Sequence, residues 1–145
     1  MIPIPCKMLE GCEDLLPIKA HDDDAAFDLK AREDCVVAPA TTRAVPTGLF
    51  LALPRNYEAQ VRPRSGLALK KSITVLNTPG TIDAGYRGEV CVILINHGTE
   101  PFSIARGDRI AQMVISKLPE VELVEVEELS ASGRGEGGFG STGRK

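Results

Sequence analysis

The chain is poor in positive charge, long apolar stretches, paired cysteines and helical periodicity. Each shortage excludes a class of protein. Lys and Arg number 17 against 20 Asp and Glu, a formal charge of −3. No global field therefore draws in duplex nucleic acid, and a polyanionic ligand would have to be held by local cations. The longest strictly apolar run is Val90-Cys91-Val92-Ile93-Leu94-Ile95, far below the roughly 18 residues of a membrane span. Met1-Ile-Pro-Ile-Pro lacks the basic stretch, apolar core and small-residue cleavage site of a secretory signal, so a cytoplasmic protein is expected. Cys6, Cys12, Cys35 and Cys91 form no C-x-x-C pair, and only His21 and His97 could join them as ligands. That pattern disfavours structural zinc and suits free thiols in a reducing compartment.

What is present is one domain's worth of strand. The 145 residues, 43% hydrophobic and 26% charged, suffice for a single soluble core. Fourteen Gly and ten Pro punctuate short apolar stretches, as in many short strands joined by turns. Strands are expected at Ile4–Met8, Cys35–Ala38, Thr41–Ala44, Leu49–Leu53, Glu58–Arg62, Ser72–Val75, Glu89–Ile95, Phe102–Ile104, Arg109–Ile115 and Val121–Val126. In Glu58-Ala59-Gln60-Val61-Arg62 the period of two puts Ala59 and Val61 on one face. Val90–Ile95 does not alternate, so both its faces need cover, one by the core and the other by a second subunit. A single helical turn is expected at Gly66–Lys71. The fold class is all-β, a one-domain barrel or sandwich. Residues 1–129 form its body and residues 130–145 a Gly-rich arm, flexible when free because it cannot offset its ordering entropy by apolar burial.

Several segments carry possible chemistry. Gly133-x-Gly135-x-x-Gly138 matches the dinucleotide fingerprint by letters, but no strand feeds it and no helix follows. In the same arm, Arg134, Phe139, Ser141 and Thr142 stand among glycines whose bare backbone can close on phosphate oxygens. Arg134 can fork onto phosphate and Phe139 can stack on a base. Pro63-Arg64-Ser65-Gly66-Leu67-Ala68 opens the helical turn. It reads either as an anion site or as a Ser65 cap beside a surface arginine. Asn77 to Val90 reads as a hairpin turning near Ala84-Gly85, with Asp83 either a turn residue or a base for water. Asp22-Asp23-Asp24 reads as a solvated charge run. Asp28, in Ala25-Ala26-Phe27-Asp28-Leu29, needs a partner or an ion. Gln112 sits among apolar neighbours as a packed amide or a ligand contact.

Taken together, Ala25–Ala31, Pro63–Ala68, Asn77–Glu89, Gly107–Met113 and Arg134–Gly143 resemble, in order and spacing, the five motifs of the trimeric dUTP diphosphatases. The resemblance implies a jelly-roll-like β-barrel, a homotrimer with active sites at subunit contacts, and hydrolysis of dUTP to dUMP and pyrophosphate with Mg²⁺. Such an enzyme keeps uracil out of DNA and supplies dUMP. The resemblance further implies that Asp83 activates the water that attacks the α-phosphorus. Tyr86 would pack under the deoxyribose, leaving no room for a 2′-hydroxyl. Asn77 and the backbone of Gly80, Thr81, Ile82 and Cys91 would read uracil. Arg64, Ser65, Gly66 and Gln112 would hold the phosphates, and Asp28 would reach Mg²⁺ through water. Arg134 would grip the γ-phosphate, Phe139 would cover the base, and Gly140, Ser141 and Thr142 would wrap the phosphates as the arm closes. Ala26, Gly85 and Lys71-Ser72 depart from the usual residues without touching a named chemical role. The neighbouring dCTP deaminases share Ile82-Asp83-x-Gly85 but look for a glutamate where Ile93 stands. A non-catalytic nucleotide sensor would be expected to lose Asp83 or the arm.

Overall fold

A computed structural model of the chain describes residues 2–138. Among them are β1 (Cys6–Met8), a 3-10 turn (Glu13–Leu15), β2 (Phe27–Lys30), β3 (Cys35–Val37), β4 (Thr42–Pro46) and β5 (Leu49–Leu51). Then follow β6 (Tyr57–Arg62), α1 (Ser65–Lys71), β7 (Ile73–Val75), β8 (Gly80–Ile82), β9 (Cys91–Asn96), β10 (Phe102–Ile104) and β11 (Arg109–Lys117). The all-β expectation holds. The strands form four ladders, β1-β5, β10-β3, β2-β11-β6-β8 and β4-β9-β7, all antiparallel. They wrap one core, and no single ladder closes into a complete barrel.

The core follows from alternation. Ala59 and Val61 of β6, Val92 and Leu94 of β9, and Ile73 and Val75 of β7 all point inward and are buried. They join Leu29, Val37, Val45, Leu49 and Ile110. Each fully buried aliphatic side chain contributes on the order of 1.5–3 kcal/mol of transfer free energy. Two polar side chains are buried with them, and both are satisfied. The Asn96 amide donates to the carbonyls of Val37 (2.9 Å) and Glu100 (2.8 Å) and accepts from Gly98 N (2.8 Å), fixing the loop after β9. The Thr47 hydroxyl donates to the Val90 carbonyl at 2.6 Å. Gly48 follows at φ +75°, where a Cβ would lie 3.0 Å from Cys12 Cβ. Only glycine meets both demands at that turn.

Four expectations need correction. Val121–Val126 is not a strand: its residues form no ladder, and Leu123 is 100% exposed. Its alternation is real, but within this chain no sheet edge accepts it. The Asn77–Val90 segment does not fold back as a hairpin. β8 pairs with β6, and after the turn the chain crosses to β9, which pairs with β4 and β7. The turn at 83–86 therefore links two sheets. The helix is longer than one turn and begins at Ser65. Arg64 is its N-cap residue and makes no side-chain cap, so Ser65 is not the cap. Finally, Phe27–Lys30 and Gly80–Ile82 are strands that the apolar pattern did not reveal, because each spans only three or four residues.

On β9 the outward residues Cys91 and Ile93 are exposed in the single chain while Val92 and Leu94 are buried. Of the two covers expected for this strand, the core supplies one. The outer face, continued by Ala44 and Pro46 opposite Ile93 and Cys91, carries no charge among these residues.

Candidate active site

The four-stranded sheet organises the charged residues along its length. At one end Asp28 of β2 lies directly opposite Gln112 of β11, and Gln112 lies opposite Arg62 of β6. Three residues from distant parts of the sequence thus share one rung. β11 enters this rung through a bulge, since the register slips between Arg109 and Ala111. The slip explains why Ile110 and Ala111 are both buried although adjacent. It returns Arg109 to the face of Asp28 and Gln112.

Asp28 has the partner its apolar setting demanded. Arg109 Nη1 donates to Asp28 Oδ2 at 3.0 Å, and Arg64 Nε lies 3.5 Å from Oδ1. Arg64 also donates through Nη1 to the Arg109 carbonyl at 2.9 Å. Gln112 Nε2 donates to the Pro63 carbonyl at 2.8 Å, tying β11 to the entrance of α1. Two guanidinium groups share one carboxylate, which leaves surplus positive charge beside the first turn of the helix. Ser65 and Gly66 stand at that turn, where no side chain caps the free N–H groups. Arg109 was missed in the sequence. The signal was present, since Gly107-Asp108-Arg109 opens the strand that carries Gln112, but plain alternation places Arg109 on the opposite face from Gln112. Asp24 lines the cleft next to Asp28 and Gln112, and its carboxylate accepts from His21 N at 2.9 Å, while Asp22 and Asp23 are exposed as expected of a solvated run.

The other end of the sheet carries Asp83. Ile82 pairs with Ala59 and Gly80 with Val61, so Asp83 falls one rung beyond, near Glu58. It is exposed and lines an open cleft with Asn56, Tyr57, Leu118 and Glu120. No ion pair engages it among the described residues. Its carbonyl accepts from Tyr86 N at 3.0 Å, closing the turn. The Tyr86 hydroxyl donates to the Glu89 carbonyl at 3.0 Å. Arg87 Nη1 donates to the carbonyls of Ala84 (2.7 Å) and Tyr86 (2.8 Å). The Glu89 carboxylate is anchored in turn. Gly48 N donates to it at 2.7 Å. Arg32 Nε lies 2.9 Å from the same oxygen with its N–H directed elsewhere, so that contact is an ion pair without a hydrogen bond.

The remaining candidates divide. The Asn77 amide packs on Gly80, where a Cβ would meet its Nδ2 at 3.2 Å, so Asn77 and Gly80 are in contact. Thr81 is exposed and Ile82 buried on β8. Cys91 starts β9 beside Pro46 and belongs to the three-stranded ladder, not to that of β8. Partial desolvation by neighbouring atoms pushes its thiol up although the residue is exposed, with Glu89 adding to the effect and Arg32 opposing it, so Cys91 stays protonated at neutral pH. Ile93 faces outward on the same strand. Arg134 lies in an exposed turn of its own segment: its Nε donates to the Gly137 carbonyl at 2.5 Å, and Gly137 N donates back to the Arg134 carbonyl at 3.1 Å. Neither strand nor helix flanks Gly133, Gly135 and Gly138, so the dinucleotide reading has no structural context. Phe139, Gly140, Ser141 and Thr142 lie outside the described residues.

The sequence profile of the dUTPase family matches residues 14–143. The chain belongs to the dUTPase family. It is 59% identical over 129 residues to the deoxyuridine 5′-triphosphate nucleotidohydrolase of Gloeothece citriformis, covering 89% of each chain. Its identity to the enzyme of that name from Clostridium tetani is 57% over 129 residues, again covering 89% of each. Among solved structures, a variant dUTPase of Staphylococcus bacteriophage 80alpha with dUpNHpp superposes at a TM-score of 0.90, with 27% identity and 99% of each chain covered. By strand rise, the rungs of Glu58 and Arg62 are about 13 Å apart. In one chain, Asp83 and the arginine cluster therefore stand at opposite ends of the same sheet.

Proposed function

We propose that the chain hydrolyses dUTP to dUMP and pyrophosphate, and that it does so as a homotrimer whose sites are shared between subunits. The observation that carries the activity is the family match across residues 14–143, which spans every candidate site residue named above. The separation of Asp83 from the Asp28–Arg64–Arg109 cluster supports shared sites. If both ends serve one nucleotide, Asp83 of one chain must meet the cluster of another. The uncharged outer face of β4 and β9 and the exposed Val121, Leu123, Val124 and Leu129 supply apolar surface for that assembly.

In this reading, Asp83 accepts a proton from the water as its oxygen bonds to the α-phosphorus. The bond from that phosphorus to the bridging oxygen breaks, and pyrophosphate leaves. A carboxylate is too weak a base to hold hydroxide at neutral pH, but it can take the proton in the transition state. Arg64, Arg109, Gln112 and the first N–H groups of α1 neutralise the phosphates, the larger share of phosphoryl-transfer catalysis. Asn77 and the backbone of Gly80, Thr81, Ile82 and Cys91 read the uracil edge. Tyr86 floors the sugar. Residues 130–145 act as an arm. Arg134, Phe139, Gly140, Ser141 and Thr142 close on the nucleotide and exclude water.

A magnesium ion fits this chain in one way. Among the described residues no three His, Cys, Asp or Glu side chains converge as a cage, and Asp28 is the carboxylate paired with both arginines at the phosphate end. The donor set therefore suits a cation held by the substrate's own phosphate oxygens, with Asp28 reached through water. When bound, the ion neutralises charge on the triphosphate. The four free thiols support a cytoplasmic location, and no described helix is long and apolar enough to cross a membrane. The test is a pyrophosphate-release assay across the deoxynucleoside triphosphates with and without Mg²⁺. Magnesium-dependent release from dUTP alone is expected; release of ammonia from dCTP, or no turnover of dUTP, would overturn the reading.

A further inference from the structure

The turn between β8 and β9 contains two glycines with different surroundings. A Cβ built on Gly85 meets nothing within 4 Å. A Cβ built on Gly88 collides with the Tyr86 side chain: the hydroxyl oxygen is its nearest atom, Cζ lies 2.5 Å away and Cε2 2.8 Å. Gly88 does not have a positive φ, so its backbone is one that alanine also adopts. What the position cannot accept is volume. The Tyr86 ring lies across bare backbone at 88, and its hydroxyl donates to the Glu89 carbonyl just beyond. That carbonyl belongs to a residue fixed from the far side, since Glu89 is held by Gly48 N and by Arg32. The ring is thus pinned at its tip and laid flat by the absence of a side chain beneath it.

We infer that Gly88 is a positioning residue for substrate selection, setting the height of the Tyr86 ring and through it the rejection of a 2′-hydroxyl. The inference rests on the proposed role of Tyr86 as the floor of the sugar site. A methyl group at 88 must lift or swing the ring, because the backbone on the other side is fixed by Glu89. A displaced ring breaks its bond to the Glu89 carbonyl and opens space beside the sugar. A steric exclusion of this kind is lost when the excluding group moves by about an ångström.

The experiment compares kcat/KM for dUTP and UTP in the wild type, Gly88→Ala and Gly85→Ala, and repeats Gly88→Ala in a Tyr86→Ala background. Gly88→Ala is expected to lower the dUTP/UTP preference by about tenfold or more, with the change chiefly in the UTP value. Gly85→Ala should leave the preference unchanged. In the Tyr86→Ala background Gly88→Ala should have no further effect, since a residue that acts through another loses its influence when that residue is gone. An unchanged preference in Gly88→Ala, or an equal effect with and without the Tyr86 ring, overturns the inference. Failure of the wild type to turn over dUTP would instead overturn the proposed function. Melting temperatures of the variants separate either result from general unfolding.

Discussion

The two ends of the four-stranded sheet are built on opposite electrostatic plans. At the β2-β11 end, one carboxylate is shared by two guanidinium groups, and positive charge is left over. At the β8 end, Asp83 is exposed and engages no cation among the described residues. A triphosphate would be attracted to the first end and repelled by the second. In the proposed function, the end that binds is therefore not the end that activates water. A site needs both, and about 13 Å of strand separates their rungs in one chain. In the proposed homotrimer, assembly would solve this by apposing the two ends from different copies.

The comparison can be broken most directly at Asp83. Asp83→Asn keeps the shape and removes the proton acceptor, so kcat should fall by about 10²–10⁴. The affinity for a non-hydrolysable dUTP analogue, measured by calorimetry, should change little. Near-normal turnover would remove Asp83 from the mechanism. At the other end, Arg64→Ala or Arg109→Ala should raise the dissociation constant for the analogue by about 10- to 100-fold, the effect of losing one charged hydrogen bond. Co-expressing Asp83→Asn with Arg64→Ala sharpens the point. At dUTP concentrations well below the weakened dissociation constant, mixed trimers should be more active than either variant alone, because some sites then draw Asp83 and Arg64 from intact sources. No recovery would place both residues of a site in one chain.

A smaller disturbance tests the apposition itself. Ile93→Asp puts a charge on the outer face of β9, opposite Ala44. Sedimentation should show monomers, and activity should fall in proportion. Deleting residues 133–145 should lower kcat strongly and leave the trimer intact, because the described hydrogen bonds of Arg134, Gly135 and Gly137 are made within residues 132–137. A deletion that melted the protein would make the segment structural.

Legibility from the sequence followed the range of the interactions. Glu58–Arg62 alternates, packs one face and was readable as a strand. Val121–Val126 alternates equally well, yet it is exposed, since alternation reports a preference for a sheet face without supplying the neighbouring edge. The Asn77–Val90 segment has hairpin residues at its turn, but β8 finds its partner in β6. Local turn chemistry cannot report that choice. Local composition singles out Asp28, Arg64 and Gln112, and the family resemblance assigns them roles. That the three meet depends on register across β2, β11 and β6. Arg109 escaped notice because a single extra residue in β11 reverses the face on which it lies. Gly88 escaped for a different reason: its significance is the volume of a neighbouring ring, which no spacing encodes.

The smallest effect is expected outside the proposed site, where Arg106 clasps the 3-10 turn. Its guanidinium donates to both carboxylate oxygens of Asp14 at 2.9 and 2.6 Å and to the Gly11 carbonyl at 2.9 Å. The hydrogen bond from Arg106 holds the Asp14 carboxyl below the usual carboxylate range. Both side chains are well exposed, so water and salt screen most of the attraction. The sign is nevertheless fixed. A depressed folded pKa stabilises the fold above the unfolded value, about 3.9, and that contribution disappears as the pH falls through the folded value. Arg106→Lys, which keeps the charge but loses the fork, should lower the melting temperature slightly at pH 7. The gap from wild type should shrink with added salt and should narrow below about pH 4 as Asp14 is protonated. A gap that stayed constant on acidification would show that Arg106 stabilises the turn through its bond to the Gly11 carbonyl and not through the carboxylate.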